Sequence, residues 1–307
     1  MNRTWFSRGL RGMTAKRIQV DLLRQGFVDG PPERFVDGDY GGHTEAALRA
    51  LQSRRLLAAT GAVDTATWRQ LTSEPLPTLF ERCLGVTADF EGHGFGLLEG
   101  NFDGAGLTWG IIGFTLSNGE IQKLLREAEA AVPGTLARVL GPLAALWQEV
   151  MKRPRAQQMA WADSISSGPN HGSVPPEWKQ AFAALGEEPV VKRLQMQRAY
   201  DAYFLPASAT ATKLQLMSEL GVALAFDMHV QNGTSRKMAV AELAPLADTL
   251  PEPEMRRRLA QRVAAFSSAA FSADVLSRKM TIAEGQGAVH GRSYRLAVWG
   301  LGEAKAA

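Results

Sequence analysis

The sequence predicts a mainly α protein in two unequal parts: a small three-helix module, then a larger α+β domain of helices with a short glycine-rich β region. Three observations predict it. Apolar residues recur at helical spacing through most of the chain. A break falls at Ser73-Glu74-Pro75-Leu76-Pro77, where two prolines remove backbone donors and disfavour helix at the residues before them. Between Glu91 and Thr115, Gly92, Gly94, Gly96, Gly100, Gly104, Gly106, Gly110 and Gly113 interleave with apolar residues in a way no stable helix tolerates. The expected division is a tail over 1–13, the module over 14–73, a linker over 74–77 and the large domain over 78–307.

In the module, Ile18, Leu22 and Leu23 mark a helix stopping at Gly26, and Thr44 opens a second carrying Ala47, Leu48, Leu51 and Leu56. Thr65 or Thr67 caps a third, short helix bearing Trp68 and Leu71. Beyond the break, helices are expected over 78–90, 118–130, 135–151, 154–165, 176–184, 188–203, 207–231 and 252–273. The stretch 91–115 should be loop with short strands, and loops on a rigid scaffold carry chemistry. Alternation of Tyr294, Leu296 and Val298 suggests a strand or hairpin near the C-terminus. No internal repeat or low-complexity tract is visible.

With 45% hydrophobic and 21% charged residues the chain should fold. The net charge of +3 comes without a long Lys/Arg tract, so a polyanionic wall suits it and nucleic acid is not required; Arg256-Arg257-Arg258 reads as a solvated helix face. The single cysteine, Cys83, excludes a disulfide framework and reads as a small buried thiol rather than a nucleophile. Residues 1–16 are basic but lack the apolar run and cleavage site of a secretory signal, and no apolar stretch spans a bilayer. The expectation is a chain made in the cytoplasm and delivered to its target by other machinery. His229 and His290 have no metal-ligand spacing, and no nucleotide motif occurs, so neither metal nor cofactor is implied.

The strongest chemical signal is a pair of acids. Inverting glycoside hydrolysis needs a protonated carboxyl for the leaving oxygen and a carboxylate that activates water, roughly 6.5 to 9.5 Å apart. Glu91 follows a helix ending in Asp89-Phe90, and Asp103 lies in the glycine-rich loop beyond it. Phe90, Phe95 and the flanking glycines give Glu91 an apolar setting that suits a proton donor, whereas Asp103 beside Gly104 should be exposed and ionised.

Two resemblances extend this reading. The run Asp37-Gly38-Asp39-Tyr40-Gly41-Gly42-His43-Thr44, continued to Gln52, and then Gly61-Ala62-Val63-Asp64-Thr65-Ala66-Thr67-Trp68-Arg69-Gln70-Leu71, resembles the three-helix peptidoglycan-binding domain. Most of that pattern is fold chemistry: turn glycines, Thr44 as a cap and Trp68 as a buried plate, with His43 and Trp68 read as loop or core residues. The Pro31-Pro32-Glu33-Arg34 insertion departs from the pattern and alters the binding surface.

The run Asp103-Gly104-Ala105-Gly106-Leu107-Thr108-Trp109-Gly110-Ile111-Ile112-Gly113-Phe114-Thr115, trailed by Asn118-Gly119-Glu120, resembles the active-site segment of family 46 chitosanases, which share the lysozyme-like fold. Glu188-Pro189-Val190, Gln195, Tyr200, Tyr203, Pro206-Ala207, Leu220-Gly221, Phe226-Asp227 and Gln231-Asn232-Gly233 agree with it. The resemblance implies Glu91 as general acid, Asp103 as general base, Thr108 as the hydroxyl that holds the attacking water, and Glu120 as a substrate-binding acid. Phe95 and Trp109 are further candidates for contact with sugar.

Asp227 lies on an apolar helix and needs a cationic partner such as Arg278 or Arg292. The pair is either a structural bridge or, as the resemblance suggests, a network orienting the acid. Ala105 and Leu107 stand where the family carries arginine and tyrosine, and the interval from Glu91 to Asp103 is short. The expected activity is therefore an endolysin-like, lysozyme-type cleavage of β-1,4 bonds in peptidoglycan by a monomer without membrane insertion. The alternatives are a chitosanase and an inactive wall-binding protein.

Overall fold

A computed structural model describes residues 3–92 and 94–306. Strand β1 (Thr4–Phe6) is followed by α1 (Met13–Arg24), the short α2 (Pro32–Phe35) and α3 (Gly42–Arg54). Strand β2 (Val63–Asp64) then leads into α4 (Thr65–Leu71) and α5 (Leu79–Glu91). The glycine-rich stretch forms β3 (Leu98–Glu99), β4 (Thr108–Trp109) and β5 (Phe114–Thr115), an antiparallel sheet in that order. Helices follow: α6 (Glu120–Ala131), α7 (Thr135–Leu140), α8 (Leu143–Lys152), α9 (Arg155–Ser164), α10 (Pro176–Glu187) and α11 (Pro189–Ala199). After a π-helical turn over Tyr200–Phe204 come α12 (Leu205–Lys213), α13 (Glu219–Gln231), α14 (Gly233–Leu243), α15 (Glu252–Phe266) and α16 (Ser272–Glu284). The hairpin of β6 (Gln286–Val289) and β7 (Arg292–Arg295) ends in a 3-10 turn, Leu296–Trp299.

Two compact units result. The first contains residues 1–90 and 202–307, and the second residues 91–201. In the first, the residues set apart as a tail contribute β1, which pairs with β2 and buries Phe6 against Trp68. Two buried glutamines hold the module's turns. Gln19 accepts from the Gly38 N–H and donates to Asp37 and to the Thr44 hydroxyl. Gln52 accepts from the Gly61 N–H and donates to the Ala62 carbonyl and to the Thr67 hydroxyl. The same clasp thus occurs twice, an internal repeat of chemistry that the sequence does not display as a repeat of residues. Thr44 is not a cap: it is the third residue of α3, and its hydroxyl serves Gln19 instead. For α4 the cap is Asp64, whose carboxylate accepts from the Thr67 N–H at 2.7 Å.

The module is fastened to the rest of its unit by charge. Arg11 forms a two-pronged bridge to Asp89 and lies over Tyr294, whose hydroxyl also donates to Asp89. Burial, the bond to Asp89 and its charge push the Tyr294 phenol up to about 12. Arg3 and Arg82 both reach Glu219. The core of this unit surrounds α13, in which Glu219 to Met228 are all buried, with Phe226 set edge-on to Phe80 and Phe204.

The second unit is built on aromatic residues. Trp147, Trp161, Trp178 and Phe182 meet with ring centroids 5.2 to 6.3 Å apart, and Trp109 is set edge-on to Phe182 at 5.2 Å. Such pairs add about 0.5–1.5 kcal/mol each beyond the area they bury.

Several expected helices are divided. Gly141, at φ 53°, and Pro142 separate α7 from α8, because the glycine adopts a conformation other residues resist and the proline cannot continue the hydrogen-bond ladder. The expected 207–231 helix breaks at 214–218, where Ser218 caps α13 by accepting from Gly221. The expected 252–273 helix stops at Phe266, and α14 and α16 lie outside the expected set. At the C-terminus the hairpin is present, with Tyr294 in β7, but Leu296 and Val298 lie in the 3-10 turn. Among the described residues no helix is long and apolar enough to cross a membrane.

Candidate active site

Both proposed acids belong to the second unit. Glu91 is the last residue of α5 and is half-buried; Gly92 follows at φ 69°, a left-handed conformation that ends the helix. Phe90, expected to line its setting, instead packs edge-on against Tyr294 and beneath the Arg278 guanidinium. Phe95 is half-buried, with Lys192 5.8 Å from its ring centre and its carbonyl accepting from Gln195. The other end of the Gln195 carboxamide accepts from the Ile111 N–H, so one buried glutamine ties the start of the glycine-rich segment to the turn between β4 and β5.

The sheet sorts the remaining residues by face. Glu99 is paired with Thr108, and Thr108 with Thr115, while Leu98, Trp109 and Phe114 are paired in the neighbouring register. Directly opposed residues share a face, and successive residues point to opposite faces. One face is therefore Glu99, Thr108 and Thr115, and the other is the apolar row that joins the aromatic core. Trp109 belongs to that core: it is fully buried and its indole donates to the Phe182 carbonyl. Its expected contact with sugar is overturned by the period of two along the strand. Thr108 lies on the opposite face, and its buried hydroxyl has no hydrogen-bond partner among the described residues.

Asp103 is exposed in the loop joining β3 to β4, as expected, and accepts from the Ala105 N–H at 2.9 Å. Asn101 anchors the loop. Its own N–H donates to Ser166, its side-chain oxygen accepts from Gly106, and its amide donates to Asp163. The Gly100 N–H donates to the Gly172 carbonyl, and a side chain at Gly100 would collide with His171 and Ser173. These contacts frame a cleft of about 570 Å³ lined by Glu99, Asn101, Phe102, Asn170, His171 and Gly172. Phe102, 48% exposed, offers an aromatic face beside a polar rim. His171 stands 3.3 Å from Asp163.

Sequence reasoning missed Glu99, Asn101, Phe102 and His171. The signal for Glu99 was present: two antiparallel strands placing Thr108 opposite it would have put the carboxylate on the same face. His171 comes from a distant loop and carries no such mark. Glu120 opens α6 and stands 3.4 Å from Arg198, which also reaches Glu127. A carboxylate there is favoured by the N-terminal end of the helix dipole.

Asp227 belongs to the first unit. It is fully buried, and Arg278, rather than Arg292 on the exposed hairpin, is its arginine partner at 2.7 Å. Lys279 and the Thr87 hydroxyl complete the set, neither foreseen from sequence. Burial alone would push this carboxyl up, but the charges of Arg278 and Lys279 and their hydrogen bonds hold it well below the usual carboxylate range. Cys83 is buried, and desolvation pushes its thiol up, away from the nucleophilic thiolate. Among the described residues no three His, Cys, Asp or Glu side chains gather to hold a metal ion.

The family described as "Glycosyl hydrolase family 46" matches residues 87–254, and the family described as "Putative peptidoglycan binding domain" matches residues 12–71. Among solved structures, the complex of the Gynuella sunshinyii GH46 chitosanase with chitotetraose is similar at 18% identity and a TM-score of 0.52, over 72% of this chain and 98% of that one. The native chitosanase from Bacillus subtilis MY002 aligns at 18% identity and a TM-score of 0.48, over 70% and 94%. The first likeness shows a shared helix-rich, lysozyme-like fold. No curated protein sequence matches.

Proposed function

We propose that this chain, which belongs to glycosyl hydrolase family 46, is a peptidoglycan hydrolase of muramidase type that cuts β-1,4 glycosidic bonds with inversion. The glycoside hydrolase activity comes with the family; the polymer is the inference. The observation that carries it is the union, in one chain, of the family 46 region over residues 87–254 with a peptidoglycan-binding match over residues 12–71. A module that holds the wall raises the effective concentration of glycan at the catalytic unit without adding a catalytic contact.

In the proposed mechanism Glu91 gives its proton to the glycosidic oxygen as the bond to the anomeric carbon breaks. Asp103 takes a proton from a water molecule whose oxygen bonds to that carbon from the opposite face. The products are a new reducing end of inverted configuration and a free hydroxyl on the leaving sugar. The Thr108 hydroxyl, buried without a partner among the described residues, holds the water, and Glu120 and Phe95 contact the strand. The chain acts as a monomer at the wall, reached through a membrane lesion of the phage type or through a secretion machine.

Digestion of purified sacculi, followed by mass analysis of the fragments, tests the reading. Release of reducing-end muramic acid is expected, and sacculi left intact would sink it. Chitosanase activity is a second reading, favoured by the carboxylates of Glu99 and Asp103 on the segment that frames the cleft, since chitosan is a cationic polymer. Faster release of glucosamine oligomers from chitosan than of fragments from sacculi would select it.

A further inference from the structure

The Pro31-Pro32-Glu33-Arg34 insertion has no part in the catalytic unit, yet it builds a cavity. The segment 27–35 stands away from α3 and encloses a cleft of about 580 Å³. Ala46, Ala47 and Ala50 on α3 form its floor, small enough to leave room above them, and Phe27 and Phe35 form its sides. Ala46 and Ala50 are exposed, so this apolar floor is open to solvent. Pro31 and Pro32 fix the backbone of the wall, which makes the cavity pre-formed rather than one that must be ordered on binding.

Charge is arranged around this apolar floor. Asp29 lies on one part of the lining, and Arg34 and His43 on others. The side chains of Asp29 and Arg34 form no hydrogen bond or ion pair among the described residues. A ligand matched to such a lining has small aliphatic groups for the floor, a carboxylate for Arg34 and an amine for Asp29. The aromatic rings of the lining are Phe35, which is buried, and Phe27, which is half-buried and covered on one face by the Arg54 guanidinium.

We propose that this cavity binds the peptide stem of peptidoglycan, a short alanine-rich peptide with a free carboxylate and a free side-chain amine, rather than its sugars. The assignment rests on the peptidoglycan reading above and names the part of the polymer that the module recognises. Arg34 takes the carboxylate, Asp29 the amine, and the alanine methyl groups lie on Ala46 and Ala50.

Calorimetric titration of the full chain tests it, with a soluble disaccharide-tetrapeptide as one ligand and the same disaccharide without peptide as the other. Binding is expected only with the peptide. Ala46→Trp, which fills the cavity from an exposed position, and Arg34→Glu, which reverses the charge, should each weaken that binding at least ~10-fold, while thermal unfolding stays as in the parent. Equal binding of the peptide-free disaccharide, or undiminished affinity in both variants, overturns the assignment. Digestion of sacculi by the same preparations separates the two inferences. Cleavage without peptide binding removes the cavity assignment alone, and peptide binding without cleavage removes the muramidase reading while leaving the cavity its ligand.

Discussion

Asp103 and Asp227 are the same side chain put to opposite uses. Asp103 lies exposed in a glycine-rich loop with a single backbone donor, whereas Asp227 lies fully buried against Arg278, Lys279 and Thr87. The buried carboxylate is saturated with donors and fixed in its ionised form. The loop carboxylate keeps lone pairs free to receive a proton, as a general base must. The difference teaches that strong electrostatic perturbation marks the structural acid in this chain, and the proposed catalytic one is recognised by its loop, its exposure and its neighbours.

The largest expected effect tests the catalytic side of this contrast. Glu91→Gln and Asp103→Asn should each lower turnover by about 10³-fold, the range of a lost acid or base, with circular dichroism and Tm unchanged. Near-parent rates in either variant would remove that residue from the mechanism and turn attention to Glu99, the carboxylate that lines the cleft.

The complementary change is Asp227→Ala, which strands two buried cations. A loss of about 3–5 kcal/mol in unfolding free energy is expected from breaking a buried pair on one side. Denaturant titration measures it, and a loss below ~1 kcal/mol would show that the cluster is not a stabilising element. The carboxyl also predicts a pH dependence. Its folded-state affinity for protons is below that of the unfolded chain, so its contribution is present above the unfolded value, about 4, and disappears as pH falls below that. His229 acts in a different window. Burial and the charge of Arg236 lower its imidazole to about 4, so stability declines as pH drops from about 6.5 towards 4. His229→Gln should flatten the upper part of the acid limb and leave the lower part, and an unchanged profile would rule out that histidine as its source.

The aromatic pair Trp109 and Phe95 sharpens the contrast on a smaller scale and shows what the sequence could convey. Trp109→Ala should cost about 3–5 kcal/mol of stability, as for other buried aromatics, and Phe95→Ala less than ~1.5 kcal/mol with a larger effect on KM. Helices such as α5, α6 and α10 were legible because their apolar residues repeat at 3.6 and their ends carry glycine or proline. The strand faces were not, since β3 to β5 are two residues each, too short to display an alternation, so Trp109 read as a cleft residue and Glu99 was passed over. Helix α16 was hidden for another reason: Arg278, Lys279 and Thr281 stand on its buried face, which erases the apolar stripe. The break at 214–218 was masked because Leu214 and Leu216 are themselves buried, continuing the hydrophobic pattern through a non-helical turn. The acids Glu91 and Asp103 were found by motif, and their placement in a glycine-rich segment was legible from composition.

The smallest expected effect is the most discriminating, because it separates stability from activity at one atom. Thr108→Val removes a buried hydroxyl that has no partner among the described residues while keeping the shape of the side chain. Removing an unpaired buried polar group is neutral or stabilising by about 1 kcal/mol, so Tm should hold or rise slightly. If the hydroxyl holds the attacking water, the same variant should lose about 10-fold in turnover, close to 1.4 kcal/mol, with KM little changed. Thr108→Ser, which retains the oxygen, should recover most of that loss. Parent-like turnover in Thr108→Val would place the hydroxyl outside the reaction, and a fall in Tm would mean that its oxygen has a structural partner in solution. A loss of rate together with a gain in stability is the signature of a residue kept for chemistry, on the opposite strand face from the tryptophan kept for the core.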